Sequence, residues 1–270
     1  MSERDEKRDE ITGVFVQVRL GSSRLPRKAL LPLEDGAIIE HVMRACRLVR
    51  ADHYALLTDA FSARAFESMA RNEGFDVIVG PDDDVLARYE AAARLYGTSR
   101  VVRATGDNPL VSASMADEIL RIHTRAGADL SHFPGLPLGT GVEVIRAGAL
   151  FEAAGEAYDP YEREHVTAYL YRDRDRFAVL EPECPGPYRF PDVKVSVDDR
   201  RDYALIKRIW RDLYRGEPIE IDDVARWLRR AAGGSERTST HGEFSPGAGR
   251  ETGYGHGSSA QVPRSRPVHE

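Results

Sequence analysis

Ten consecutive residues carry the densest potential for chemistry in the chain: Arg19-Leu20-Gly21-Ser22-Ser23-Arg24-Leu25-Pro26-Arg27-Lys28, directly after the apolar run Val14-Phe15-Val16-Gln17-Val18. From Ile11 to Leu33 there are four basic residues and no acidic one, although the whole chain holds 38 Lys+Arg against 44 Asp+Glu, a formal net charge of −6. Gly21 with Ser22 and Ser23 lets backbone N–H groups approach a ligand closely, and Arg19, Arg24 and Lys28 add charge and forked donors. That combination suits a polyphosphate. The loop is neither the G-x-x-x-x-G-K-[ST] phosphate loop nor the dinucleotide G-x-G-x-x-G.

Two aspartates are its natural partners. Asp107 lies in Arg103-Ala104-Thr105-Gly106-Asp107-Asn108-Pro109-Leu110, leaving a strand on a Gly/Asn/Pro turn, and Asp198 ends Val193-Lys194-Val195-Ser196-Val197-Asp198. Carboxylates gathered beside a phosphate loop repel one another unless a cation sits between them, and Mg²⁺ takes one or two carboxylates plus substrate oxygens. A shared Mg²⁺ site at Asp107 and Asp198 is expected, with helix capping as the plainer role for Asp198.

These residues need a scaffold that brings strand ends together, and the hydrophobic pattern supplies one. Strands are expected at Val14–Val18, Tyr54–Thr58, Phe75–Val79 and Arg100–Thr105, separated by helices over Ile38–Val49, Ala63–Asn72 and a stretch opened by Pro81 and three aspartates that runs to Tyr96. The second half adds helices near Ser114–Ala126, Ala147–Glu156, Glu162–Arg172, Arg201–Tyr214 and Asp222–Arg230, and strands at Asp129–His132, Val142–Ile145, Phe177–Leu180 and Val193–Val197. Alternation of this kind predicts an α/β fold, a doubly wound, mostly parallel sheet with a small β extension. By analogy with such folds the extension is expected to form a subunit contact, hence a homodimer. In an open sheet of this type ligands bind outside the carboxyl ends of the strands, where the basic loop falls.

Composition narrows the field further. The chain has 270 residues, 41% of them hydrophobic, and two cysteines, Cys46 and Cys184, without metal-ligand or redox spacing. Residues 1–10 and 233–270 are polar and are expected to be disordered, because they cannot bury enough apolar area to offset the entropy of ordering. Residues 11–232 then form one domain. The acidic balance disfavours a nucleic-acid partner, and without a membrane-length apolar run or a leader pattern a cytoplasmic, membrane-free protein is expected.

R-L-G-S-S-R-L-P-R-K, G-D-N-P-L and V-S-V-D, in this order, resemble the cytidylyltransferases that activate acidic sugars, the group of CMP-KDO synthetase and acylneuraminate cytidylyltransferase. The likeness is greatest to the spore-coat polysaccharide branch, which also has stretches similar to D-D-V-L-A-R-Y, G-V-E-V and R-E-H-V-T, and it spans about Val14 to Tyr214. The resemblance implies a nucleotide-diphospho-sugar transferase-like Rossmann-type fold and a Mg²⁺-dependent enzyme that passes CMP from CTP to a small acidic-sugar acceptor, releasing pyrophosphate. It implies that Arg19, Ser22, Arg24 and Lys28 hold the triphosphate, with Lys28, Arg24 and Asp107 catalytic, and that Asp107 and Asp198 bind the metal. Glu143, Arg163, His165 and Thr167 align with stretches near the acceptor pocket, where Arg163 or His165 would be a counter-charge for a carboxylate. Thr58 and Asp59 would line the base pocket, unless Asp59 caps the following helix. Arg27 stands where many relatives have glycine.

Other readings remain open. Asp82-Asp83-Asp84 supplies the D-x-D of a metal-dependent glycosyltransferase, although Pro81 and aspartates before Val85 also describe a helix N-terminus. A nucleotidyltransferase using another base, or a phosphonate or sugar-phosphate acceptor, fits the same loop, as does a nucleotide-binding module without turnover.

Overall fold

The computed structural model describes residues 10–235; residues 1–9 of the arm and 236–270 of the tail, both expected to be disordered, lie outside the described residues. Its centre is a seven-stranded sheet of order β5-β4-β1-β6-β8-β7-β9. The strands are β1 (Thr12–Gln17), β4 (His53–Asp59), β5 (Asp76–Gly80), β6 (Arg100–Thr105), β7 (Leu130–Ser131), β8 (Glu143–Arg146) and β9 (Val179–Leu180), and β2 (Pro32–Leu33) and β3 (Gly36–Ala37) form a small separate hairpin. β1 pairs in parallel with both β4 and β6, β4 with β5, and β7 with β9; only β8 runs antiparallel to its neighbours. The mostly parallel α/β sheet expected from the alternation is therefore present.

Helices cover both faces. They are α1 (Ile38–Arg47), α2 (Ala60–Asn72), α3 (Val85–Tyr96), α4 (Ala113–Ala126), α5 (Ala147–Glu156), α6 (Pro160–His165), α7 (Ala168–Arg172), α8 (Arg200–Leu213) and α9 (Ile221–Ser235). Strand alternation divides the core into two layers. Val14 and Val16 of β1 join Leu56 of β4 and Val102 of β6 on one face, packed with Ile39, Val42 and Met43 of α1. Phe15, Leu57 and Val101 face the other way, onto Leu86 and Tyr89 of α3 and Leu150 of α5.

The boundaries differ from expectation in several places, three of them larger than a shift at an element's end. A single helix over Glu162–Arg172 is broken into α6 and α7 by Val166, whose φ of 59° and ψ of −58° end α6. The Thr167 N–H donates to the His165 carbonyl at 2.6 Å, which closes a γ-turn of the rare positive-φ kind. A β-branched residue there is strained and persists because Val166 is fully buried. Val193–Val197 is not a strand of the sheet: it makes one parallel bridge, Leu138 with Lys194. Finally, α9 runs through Ser235, three residues into the segment expected to be disordered. Among the described residues no helix is long and apolar enough to cross a membrane.

Candidate active site

The sheet register places the chemistry at one edge. β1 and β6 are adjacent and parallel, so the loop after Gln17 and the turn after Thr105 leave the sheet side by side, tied by the Gly106 N–H donating to the Gln17 carbonyl at 2.8 Å. The basic loop is anchored from below. Leu20 and Leu25 are buried, the Leu20 N–H donates to the Ser62 hydroxyl at 2.9 Å, and the Arg27 N–H closes on the Leu20 carbonyl at 3.2 Å. Ser22 accepts from the Leu25 N–H at 3.4 Å, which shapes the turn.

Arg27 itself adopts φ 57° and ψ 29°, the left-handed region. That is the conformation glycine supplies without a Cβ penalty, and it accounts for glycine in the resembling sequences. Arg27→Gly should leave the loop in place and raise stability by up to about 1 kcal/mol, the strain relieved less the entropy glycine adds to the unfolded chain; a lowered urea midpoint would contradict this.

Lys28 is the hub. Its Nζ donates to Asp107 Oδ2 at 2.6 Å and to Asp198 Oδ1 at 2.9 Å, and all three side chains are mostly buried. Asp107 is set by the Thr105 hydroxyl, which donates to its Oδ1 at 2.7 Å. Asp198 arrives from the far end of the fold because the Val197 N–H donates to the Asp107 carbonyl at 2.9 Å. Arg24 approaches Asp198 at 3.2 Å, and Lys194 Nζ lies 2.9 Å from its other oxygen. Asp202 takes Lys194 at 2.5 Å and accepts the backbone N–H groups of Asp198 and Asp199. The helix cap of α8 is Asp199, which accepts from Arg201 and Asp202, so Asp198 is released for the site.

Burial by itself would raise the Asp198 carboxyl, but the hydrogen bonds and charges of Lys28 and Lys194 outweigh it and hold the pKa at about 2, below the ordinary 3.8. A depressed carboxyl contributes stability that is fully present above its unfolded pKa and is lost as pH falls through the folded one. About 2 kcal/mol should therefore disappear between roughly pH 4 and pH 2. Acid titration of unfolding free energy should show this loss reduced in Asp198→Asn; an unchanged acid limb would contradict the pairing.

These groups open onto a cavity of about 820 Å³, within the range of small-molecule sites. Arg19, Gly21, Ser22, Ser23, Arg24, Lys28, Asp107, Asp198, Glu143 and His165 all line it. Arg19 pairs with Glu164 at 2.9 Å, and Glu164 also faces the cavity. Burial lowers the His165 pKa, which favours the neutral ring, and the imidazole lies 4.2 Å from the Tyr161 ring.

Four expected residues do not line the cavity. Thr58 does not line the cavity: it is fully buried, on the Leu56 side of β4 by strand alternation, and its hydroxyl has no partner. Asp59 caps α2, accepting from the Ser62 N–H at 2.8 Å. Arg163 lies off the cavity, its guanidinium held by Asp84, with Nε at 2.9 Å from Oδ2, and by the Ala154 carbonyl at 2.7 Å. Thr167 is buried and acts behind the cavity wall, donating to Glu143 at 3.1 Å.

Glu143 is the centre of a chain of polar groups that the sequence did not reveal. The antiparallel register puts Arg103 of β6 opposite Glu143 of β8, and their side chains pair at 2.5 Å. Arg103 also donates to Gln17 at 3.2 Å. The Tyr171 hydroxyl donates to Glu143 at 3.0 Å and lies 2.9 Å from His132 Nδ1. Gln17, Arg103, His132 and Tyr171 all line the cavity. An arginine inside a strand was the one available signal; its partner is fixed by a pairing that no local pattern encodes.

The D-x-D alternative loses its ligands to the fold. Asp84 caps α3, accepting from the Ala87 N–H at 2.8 Å, and bonds Arg163, while the exposed Asp82 lies 3.8 Å from Arg19.

Comparison with known proteins shows the family and the fold. The chain is 28% identical over 223 residues, 80% of its own length and 93% of the relative's, to the spore coat polysaccharide biosynthesis protein SpsF of Bacillus subtilis. It is 25% identical to the 3-deoxy-manno-octulosonate cytidylyltransferase of Aeromonas hydrophila, over 65% of this chain and 71% of that one. In fold it matches a cytidylyltransferase from Leptospira borgpetersenii with a TM-score of 0.76 at 22% identity, over 86% of this chain and 99% of that one. The family model for cytidylyltransferases matches residues 14–214, which takes in the basic loop, both aspartates and the Glu143 chain, and the protein belongs to the cytidylyltransferase family of nucleotidyltransferases.

Proposed function

We propose that this protein transfers CMP from CTP to a small acidic-sugar acceptor, releasing pyrophosphate, with Mg²⁺ held by Asp107 and Asp198. The observation that carries the reading is the convergence of those two carboxylates on one cation position, filled here by the Lys28 ammonium, at the mouth of an acid-free phosphate loop. The donor set fits magnesium. Both groups offer hard oxygens to the cavity, and among the described residues no third His, Cys, Asp or Glu joins them, so substrate oxygens and water would complete the shell. Bound there, the ion would supply Lewis-acid polarisation of the α-phosphoryl group.

The chain's own residues supply the rest. The acceptor oxygen attacks the α-phosphorus in line, the bond to the bridging oxygen of the pyrophosphate breaks, and charge grows on the leaving group. Lys28 and Arg24 stand on the loop to neutralise it, and backbone N–H groups around Gly21 to Ser23 orient the triphosphate. The polar chain of Gln17, Arg103, Glu143, Tyr171 and His132 presents donors and acceptors suited to sugar hydroxyls. The likeness to a 3-deoxy-manno-octulosonate cytidylyltransferase supports a sugar acid as acceptor, and the likeness to SpsF supports a role in polysaccharide biosynthesis.

The test is pyrophosphate release from CTP and Mg²⁺ with a panel of 2-keto sugar acids, phosphonates and sugar phosphates. Release dependent on one sugar acid is expected. Release of a nucleoside diphosphate from a nucleotide-sugar, without pyrophosphate, would favour the glycosyltransferase alternative.

A further inference from the structure

The two oxygens of Asp198 have different surroundings. Oδ1 faces Lys28 Nζ at 2.9 Å and Arg24 at 3.2 Å, both cavity residues, whereas Oδ2 lies 2.9 Å from Lys194 Nζ. Neither Lys194 nor Asp202 lines the cavity, so Oδ2 is engaged from behind the wall. Asp107 is divided in the same way: Lys28 donates to its Oδ2 at 2.6 Å and the Thr105 hydroxyl to its Oδ1 at 2.7 Å. The Lys28 ammonium therefore marks a position toward which each aspartate turns one oxygen.

Lys194 is fixed at both ends. Its backbone makes the parallel bridge to Leu138, flanked by the Leu138 N–H on the Val193 carbonyl and the Val195 N–H on the Leu138 carbonyl, each at 2.8 Å. Its ammonium is shared with Asp202 at 2.5 Å, and Asp202 is set at the start of α8 by the N–H groups of Asp198 and Asp199 at 2.9 and 3.2 Å. The Lys194 and Asp202 side chains are only 20% and 17% exposed, so water and salt screen the pair weakly. Asp202 also offsets a charge that would otherwise repel a cation. What Lys194 then contributes is direction, because it fixes the plane of the Asp198 carboxylate and occupies Oδ2.

Such an arrangement discriminates between ions. Mg²⁺ demands near-octahedral geometry and is satisfied by one oxygen from each carboxylate plus water and phosphate oxygens, whereas Ca²⁺ takes about six to eight oxygens at longer distances and accepts carboxylates through both. Resting on the Mg²⁺ reading above, we infer that Lys194, held by Asp202, keeps Oδ2 of Asp198 out of the metal shell and sets the preference of this site for Mg²⁺ over Ca²⁺. Lys194 acts through Asp198 and is a positioning residue.

The experiment measures CTP binding by calorimetry in saturating Mg²⁺ and in saturating Ca²⁺, without acceptor, for the wild type, Lys194→Met, Lys194→Arg and the double variant Lys194→Met with Asp202→Asn. The double variant leaves no unpaired charge and keeps an oxygen for the α8 N–H groups, so it asks the same question with the fold least disturbed. The wild type should bind the Mg²⁺ complex at least about ten-fold more tightly than the Ca²⁺ complex. Both variants without the ammonium should lower that ratio at least about five-fold, chiefly by tighter binding of the Ca²⁺ complex, and Lys194→Arg, which keeps a donor to Oδ2, should retain it. A merely structural role would weaken both complexes alike and leave the ratio intact, which would overturn the inference, as would a wild type indifferent to the ion. A ratio that falls as expected while no acceptor gives pyrophosphate would uphold Lys194 and defeat the proposed transfer reaction. Pyrophosphate release with an unchanged ratio in Lys194→Met would do the reverse, so the two failures are distinct.

Discussion

Lys28→Ala should lower kcat by roughly 10³-fold, because it removes a preorganised donor to the leaving phosphates and the group that, among the described residues, bonds both Asp107 and Asp198. The cost in stability is smaller. Both aspartates lose the Lys28 ammonium, but Asp198 keeps Lys194 and Arg24 while Asp107 keeps only neutral donors such as the Thr105 hydroxyl, and unfolding should become easier by about 1–3 kcal/mol. Asp107→Asn removes the same ion pair from the other end and should give a comparable loss of kcat with intact secondary structure. Because the two residues act as one unit, the double variant should be little worse than either single one. Additive losses, or near wild-type activity in Lys28→Ala, would show that the hub is structural.

The second large effect is expected at Gly139, far from the loop in sequence. Its φ of 107° is open to glycine, and an added Cβ would lie 2.7 Å from the Ser196 backbone nitrogen and 3.0 Å from its Cα. Neither atom can swing away as a side chain would. The Leu138 N–H donates to the Val193 carbonyl and the Leu138 carbonyl accepts from Val195, both at 2.8 Å, so Gly139→Ala pushes directly on the segment that ends in Asp198. Backbone strain plus clash should cost about 2–4 kcal/mol, and displacing Asp198 by even 1 Å should lower kcat about 100-fold. Thermal unfolding and kinetics of Gly139→Ala check both; unchanged activity would mean that the position of Asp198 is not critical.

The pattern of these effects explains what the sequence disclosed. Wherever a motif and its neighbours in sequence act together, the reading from residues alone matches the structure: the loop from Arg19 to Lys28, Asp107 on its turn, the strands from Val14 and Arg100, and Asp84 as the cap of α3. The alternation of apolar runs also sufficed for a mostly parallel sheet, since β1, β4, β5 and β6 are each long enough to show their period. Thr58 and Arg163 lie off the cavity because sequence proximity to a motif does not say which way a side chain points. One followed strand alternation into the core, and the other was taken up by Asp84 across an α3–α6 contact.

The acceptor end was the least legible, for a physical reason. Arg103 meets Glu143 only through the β6–β8 register, and Tyr171 reaches Glu143 only because the γ-turn at Val166 breaks what the periodicity presents as one helix. Val193–Val197 looks like a strand by alternation, yet its work is to carry Asp198 to Asp107 through a single bridge and a few backbone bonds. Lys194, in that same run, acquires its role from Asp202 four residues past Asp198, on the turn that opens α8.

The most direct test of the central claim follows the phosphorus atoms of CTP by ³¹P NMR, with the protein, Mg²⁺ and an accepted sugar acid. The three triphosphate signals should be replaced by free pyrophosphate and one new phosphodiester in equal amounts, with no exchange in Asp107→Asn. Formation of CDP and inorganic phosphate, or CTP left intact across the acceptor panel, would contradict transfer of CMP at this site.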